Sequence, residues 1–169
     1  MNSLPVMLDI LRLRRGPQDL PADVGTLVFW LGVALVTGMA VGIPLYGVAG
    51  ALALNLLDLA VLYAFIAIVL GMRGFPGRWI QTWTAMAGSG ALLGVLMALL
   101  MLLGAGDPEA VSPLVVLAML ALLVWLLLVF GHILHQALEL GGRMTGMLIA
   151  LVYLIISSVI TQTAIGVLQ

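Results

Sequence analysis

Hydrophobic residues in this chain run in long blocks that short polar segments separate. The block from Thr26 to Gly71 would, as a single helix, extend about 69 Å, more than twice the thickness of a bilayer core. It must therefore fold back, and helix-breaking residues gather near its middle: Pro44, Gly47 and Gly50. The block thus predicts two membrane-spanning helices, over residues 26–46 and 51–70.

Three more apolar blocks follow, over residues 82–103, 113–135 and 147–167. Each is long enough to cross a bilayer as a helix. The segments between them contain glycine, proline and charged residues, which are typical of loops. The pattern predicts an all-α fold: a polytopic membrane helix bundle of about five transmembrane helices, forming one domain over residues 26–169.

The N-terminal arm, residues 1–25, is the only sizeable segment outside these blocks. Leu4, Met7, Leu8 and Leu11 share one side of a possible short helix, and Gly16-Pro17 ends it. We expect an amphipathic helix that lies on the membrane surface, with its arginines among the lipid headgroups. The alternative is a frayed terminus.

The arginines are the charges that set the orientation. With five spans, all six fall on one side of the membrane: Arg12, Arg14, Arg15, Arg73, Arg78 and Arg143. On the other side, the charged residues of the predicted loops are Asp107 and Glu109, which are both acidic. The positive-inside rule therefore predicts a cytoplasmic N-terminus and an external C-terminus, in the inner (plasma) membrane of the cell. Trp30, Trp79 and Trp83 cluster at the predicted cytoplasmic boundary, as in an aromatic belt.

Composition excludes several classes of function. The chain is 64% apolar and 8% charged, against about 25% charged in a soluble domain, so water is not its main solvent. A net charge of −1 and the absence of basic clusters argue against nucleic acid as a partner. The absence of cysteine excludes disulfides, iron–sulfur clusters, thiolate zinc sites and cysteine nucleophiles. We expect no cofactor.

Asp58 is an acidic residue about 12 Å inside the second predicted span. A carboxylate at that depth is costly and should face protein or water rather than lipid. Asn55 lies one turn earlier on the same face, and Thr161 and Gln162 lie at a similar depth in the last span. These four residues form the main predicted site: a pocket that carries a proton or holds a ligand. The alternative is hydrogen bonding between helices by a neutral, protonated Asp58.

His132, His135 and Glu139 form a second group, because their spacing places all three on one face of a helix. Two imidazoles and a carboxylate can bind a divalent metal. Their position at the cytoplasmic end of the fourth span is equally typical of interfacial anchors. The six arginines likewise have two interpretations, as contacts for anionic lipid headgroups or as charges that only set the topology.

The segment Gly71-Met-Arg-Gly-Phe-Pro-Gly-Arg-Trp-Ile-Gln-Thr-Trp-Thr-Ala-Met-Ala-Gly88 resembles the link between the second and third spans of the Yip-type five-span membrane proteins. In that family a glycine–arginine turn leads into an aromatic and polar helix start. The resemblance implies a fold and a topology, five spans behind a short cytoplasmic arm. It implies no catalytic residues.

The sequence favours a non-enzymatic integral membrane protein, a scaffold or accessory subunit that organises lipids or a membrane partner. The partners it implies are the bilayer and a membrane protein or a second copy of the chain. One alternative is a small transporter or channel subunit that uses Asp58, and the next is a metal-dependent membrane enzyme. Gly38-x-x-x-Gly42 and Gly90-x-x-x-Gly94 predict close helix packing, within the bundle rather than between copies.

Overall fold

The computed structural model describes residues 3–104 and 112–168, and all of its regular elements within those ranges are helices. The helices are α1 (Ser3–Leu11), α2 (Val24–Met72), α3 (Trp79–Gly104), α4 (Pro113–Ala137) and α5 (Arg143–Leu168). Within the described ranges, four helices are long and apolar enough to cross a membrane: α2, α3, α4 and α5. The protein is thus an integral membrane protein with an all-helical fold. Asp107 and Glu109 of the predicted outer loop lie outside the described residues.

The helix α2 reverses direction at Gly47, one of the three predicted helix breakers. Gly47 has φ 68° and ψ 176°, a conformation that is open to glycine and strained for other residues. The two arms of α2, residues 24–46 and 48–72, then pack side by side. The Asn55 side-chain nitrogen donates a hydrogen bond to the Leu35 carbonyl at 3.3 Å. A Cβ at Gly42 would lie 3.0 Å from the Cβ of Ala51, so this glycine permits close packing of the arms.

We predict that Gly47→Ala lowers the free energy of unfolding by about 1–3 kcal/mol, because alanine is strained at this φ. No atom lies within 4 Å of the position that its Cβ would occupy, so steric crowding contributes nothing. Gly71→Ala is the matched control, since Gly71 lies in the same helix with equally open surroundings and an ordinary φ. Thermal unfolding in nanodiscs measures both. Equal melting temperatures for the two variants would contradict the strained turn.

The glycine pairs of the sequence pack within this chain. A Cβ at Gly38 would overlap the Asn55 amide, and a Cβ at Gly94 would lie 2.9 Å from a methyl carbon of Thr37. The first pair therefore joins the two arms of α2. In the second pair Gly94 faces the first arm, whereas Gly90 faces Phe130 of α4. Both serve packing inside the bundle.

The helix α1 packs against the end of the bundle. Its Met7 and Ile10 are fully buried, whereas Leu8 remains exposed on the opposite face. The sulfur of Met7 lies 3.6 Å from the Ser89 hydroxyl of α3, and the Trp30 indole N–H donates to the Ser3 hydroxyl at 3.0 Å. Trp30 is itself buried, so it is a core residue at this contact and not part of an aromatic belt. The arm is thus packed rather than frayed.

The segment between α1 and α2 is held by side-chain hydrogen bonds. The Gln81 amide of α3 donates to the Leu20 carbonyl at 2.8 Å. Asp23 caps the start of α2 and accepts from the Thr26 backbone N–H at 2.8 Å. This bond and a second from the Thr26 hydroxyl lower the pKa of Asp23, so the cap is fully formed at neutral pH and is lost as the pH falls through that lowered pKa.

All six arginines lie at one end of the bundle, which we call the arginine end. Arg73 and Arg78 donate to the carbonyls of Leu138 and Ala137, at 3.3 and 3.1 Å, and thereby join the link after α2 to the end of α4. Arg78 also pairs with Glu139. The opposite end, at which α2 turns, is called the Gly47 end.

Candidate functional site

A cavity of about 540 Å³ lies between the two arms of α2 and the helices α3, α4 and α5. Its wall is mostly apolar, and every one of these segments contributes at least one leucine to it. The polar lining consists of a few side chains on α2 and α5: Thr37, Tyr46, Asn55, Asp58, Tyr153, Ser157 and Thr161. A large apolar cavity with a few converging polar groups is the usual form of a binding site for a small molecule.

Asp58 is the acidic residue among the described residues that line this cavity. Its carboxylate accepts a hydrogen bond of 2.6 Å from the Ser157 hydroxyl of α5. Asn55, one turn earlier, uses its amide N–H to bind the Leu35 carbonyl. The second arm of α2 is therefore tied to α5 by Asp58 and to the first arm by Asn55, and both side chains line the cavity.

Three of the four residues predicted as a polar cluster line this cavity: Asn55, Asp58 and Thr161. The fourth, Gln162, is exposed and does not line it. Consecutive residues of a helix point about 100° apart, so Thr161 and Gln162 do not face the same side of α5. The helical periodicity of α5 alone therefore indicates that Thr161 and Gln162 belong to different faces.

Ser157 is the direct partner of Asp58, and it was not among the four residues predicted from the sequence. The second arm of α2 begins directly after Gly47, which places Asp58 about 15 Å from that end. Ser157 lies about 16 Å from Leu168, where α5 ends, and so it stands at the same level. A signal was present in the i, i+4 spacing of Tyr153, Ser157 and Thr161, which puts all three on one face.

The two ends of the cavity differ. At the Gly47 end, Leu45 and Tyr46 both line the cavity and are exposed, so the cavity reaches the surface of the protein there. Toward the arginine end its wall includes Met86, Phe130 and Tyr153, which are buried. Beyond these three buried residues, toward the arginine end, Met7 of α1 packs on α3. The site is accordingly a vestibule that is closed on the side of the arginines.

No arginine of the chain pairs with Asp58, and the chain contains no lysine. The ion pairs of the described residues are all at the arginine end: Arg12 and Arg15 with Asp9, and Arg78 with Glu139. Within the part of the chain that the structure describes, Asp58 thus has a hydroxyl partner and no cationic one.

The structure separates the three residues of the predicted metal group. The His132 ring nitrogen Nε2 lies 2.9 Å from the Arg15 carbonyl, whereas Nδ1 of His135 is buried without a hydrogen-bond partner. Glu139 lies beyond the end of α4 at Ala137, with φ 49°, and pairs with Arg78. It therefore does not share a helical face with the histidines. Within residues 3–104 and 112–168, no three His, Asp or Glu side chains lie close enough to hold a metal ion.

Most of the arginines have the exposure that contact with lipid headgroups requires. Arg12, Arg14, Arg15, Arg73 and Arg143 are exposed, and Arg78 is half-buried. Exposed arginines at one end of the bundle agree with contact to lipid headgroups and equally with charges that only set the topology. Contact with anionic lipids therefore stays a prediction.

Comparisons with protein-family models, with curated proteins and with solved structures found no match for this chain. The assignment of function therefore depends on the residues and geometry of the chain itself.

Proposed function

We propose that this protein is a non-enzymatic membrane protein that binds a small hydrophobic molecule in the cavity around Asp58. The observation that carries the proposal is the cavity itself, about 540 Å³ of mainly apolar space with Asp58 and Ser157 joined at 2.6 Å on its wall. Ligand sites of this kind commonly occupy about 300–1,000 Å³ and combine an apolar wall with a few polar groups.

The class that this geometry favours is a transporter or channel subunit with Asp58 as the binding group. An acidic residue inside a membrane marks a substrate or ion pathway in most proteins that have one. The cavity reaches the surface at the Gly47 end and is closed toward the arginine end, so a ligand would enter from one side.

The same proposal includes the number of spans and the orientation of the protein in the membrane. The two arms of α2 and the helices α3, α4 and α5 form five spans, with the N-terminus in the cytoplasm and the C-terminus outside, in the inner (plasma) membrane. The six arginines at one end support this orientation, as does the resemblance to the Yip-type topology. Single cysteines at Tyr46 and Gly141, in a chain that otherwise has none, test it with a reagent that does not cross membranes. Only the cysteine at position 46 should react in intact cells.

A second candidate is the scaffold or accessory subunit that the sequence predicts. The favouring observation is a groove of about 580 Å³ between α2 and α5. Small side chains line much of it, including Ala53, Thr163 and Ala164, and such residues let the helix of a partner approach closely. The partner in this case is another membrane protein or a second copy of the chain.

One pair of variants tests the two candidates together. Ala91→Leu fills part of the cavity, and Ala164→Leu fills part of the outer groove. Native mass spectrometry of the protein from nanodiscs should show a retained small molecule that is lost in Ala91→Leu and kept in Ala164→Leu, because only the first substitution takes space from the ligand.

The reverse pattern would favour the scaffold. In that case a protein partner or a dimer is present in the wild type, survives in Ala91→Leu and is lost in Ala164→Leu. Thermal unfolding of both variants serves as the control, since a variant that has unfolded loses every ligand. The absence of any retained small molecule in the wild type contradicts the ligand-binding proposal.

A further inference from the structure

We infer that the ligand of this cavity is an organic cation, a protonated or quaternary amine with apolar substituents, and that Asp58 is its counter-ion. This inference rests on the proposed function and specifies the chemical class of the ligand. Three properties of the site carry it: the charge of Asp58, the small number of oxygen atoms around it, and the apolar and aromatic character of the wall.

The charge comes first. An ionised carboxylate in an apolar site is costly unless a cation or several hydrogen-bond donors compensate it. Among the described residues, the donor to Asp58 is the Ser157 hydroxyl at 2.6 Å. No arginine compensates it, because all six lie at the arginine end, and the chain has no lysine. The described residues thus supply no compensating cation, and a bound cation can take that place.

The surroundings of Asp58 do not suit a metal ion. Calcium takes about six to eight oxygen ligands, and magnesium needs near-octahedral geometry and keeps several waters, so either ion needs a site rich in oxygen or water. Here the wall is mostly apolar, the Asn55 amide nitrogen donates to the Leu35 carbonyl, and Ser157 and Thr161 supply single hydroxyls. Asp58 is the only carboxylate on the described wall of the cavity. A hydrated inorganic ion would thus lose more coordination than the site returns.

The wall suits a cation with an apolar body. Most lining side chains are aliphatic, and three aromatic rings also line the cavity, those of Tyr46, Phe130 and Tyr153. Aromatic faces attract cations, most strongly where water is excluded, and recognition of quaternary amines by aromatic rings is well established. Such a ligand buries its substituents against the wall and places its charge at Asp58.

Two ions of equal shape and opposite charge test the inference. Tetraphenylphosphonium and tetraphenylborate both carry four phenyl groups around a central atom, so they differ chiefly in sign. Binding is measured by equilibrium dialysis on the full chain in nanodiscs of uncharged lipid, with empty nanodiscs subtracted. The wild type should bind the phosphonium about tenfold to hundredfold more tightly than the borate, as expected for an interaction with a charged group.

Asp58→Asn keeps the size of the side chain and removes the acidic group, so it should abolish the preference for the phosphonium. Retained binding of the borate in this variant shows that the cavity is still folded. Asp9→Asn is the matched control, because it removes a carboxylate at the arginine end, where Asp9 pairs with Arg12 and Arg15. It should bind both ions as the wild type does.

The outcomes separate the two proposals. Equal affinity for both ions in the wild type overturns the cation inference and leaves a hydrophobic ligand site in place. An unchanged preference in Asp58→Asn also overturns it. If neither ion binds to the wild type, the proposed ligand-binding function itself fails.

Discussion

Replacing Gly146 with alanine should be among the most damaging single substitutions in this protein, with a loss of about 3 kcal/mol in the free energy of unfolding. The helices α4 and α5 cross there almost backbone to backbone. A Cβ at Gly146 would overlap the Gly131 carbonyl oxygen and would lie 3.1 Å from the backbone nitrogen of His135. Backbone atoms that form part of a helix cannot move aside as a side chain can, so the two helices must separate.

Thermal unfolding in nanodiscs is the measurement, with Gly166→Ala as the matched control. Gly166 lies on the same helix and has no atom within 4 Å of the position of an added Cβ. This variant should unfold at the temperature of the wild type or slightly above it, because alanine favours a helix over glycine. If Gly146→Ala is as stable as Gly166→Ala, the close crossing of α4 and α5 does not exist.

Met7→Asp should release α1 from the bundle, the second large effect that we expect. The side chain of Met7 is fully buried and reaches Gly88 and Ser89 on α3. Deleting a buried methionine costs about 2–5 kcal/mol, and a carboxylate in its place adds the cost of losing water. A helix as short as α1 is not stable by itself in water, so a loss of this size should detach it.

The rate of labelling at a single cysteine measures this release. In an Ile10→Cys variant the thiol should react slowly, because Ile10 is fully buried in the wild type, and adding Met7→Asp should make it react rapidly. Leu8→Asp is the control on the exposed face of the same helix. If α1 is held by lipid rather than by the bundle, Leu8→Asp exposes the thiol more than Met7→Asp does.

Much of the candidate site could be predicted from the sequence because polar residues are conspicuous in apolar helices. Asn55, Asp58 and Thr161 were each singled out in this way, and the structure places all three on one cavity. Which polar residues meet depends on the level and rotation of two separate helices. The levels of the two helices come from the structure, which brings Ser157 to Asp58. Gln162 does not line the cavity, in agreement with the periodicity of α5.

The predicted metal group of His132, His135 and Glu139 shows that a prediction from spacing also depends on where a helix ends. The spacing of His132, His135 and Glu139 predicts a shared face only if the helix continues through all three. Instead α4 ends at Ala137, where Arg73 and Arg78 bind the last carbonyl groups and Arg78 takes Glu139 as its partner. The spacing by itself therefore did not settle whether Glu139 shares a helical face with the histidines.

The sequence by itself determined that the protein lies in a membrane, that its fold is helical and that α2 turns near Gly47. The length of the apolar blocks, the helix propensity and the conformational freedom of Gly47 are local properties. They can therefore be inferred from the sequence without knowing which helices pack together. The tertiary structure alone decided that α1 is packed into the bundle, that α4 and α5 meet at Gly131 and Gly146, and that Asp58 faces a cavity. These features depend on the relative positions of helices, and many arrangements of equally apolar helices satisfy the same sequence pattern.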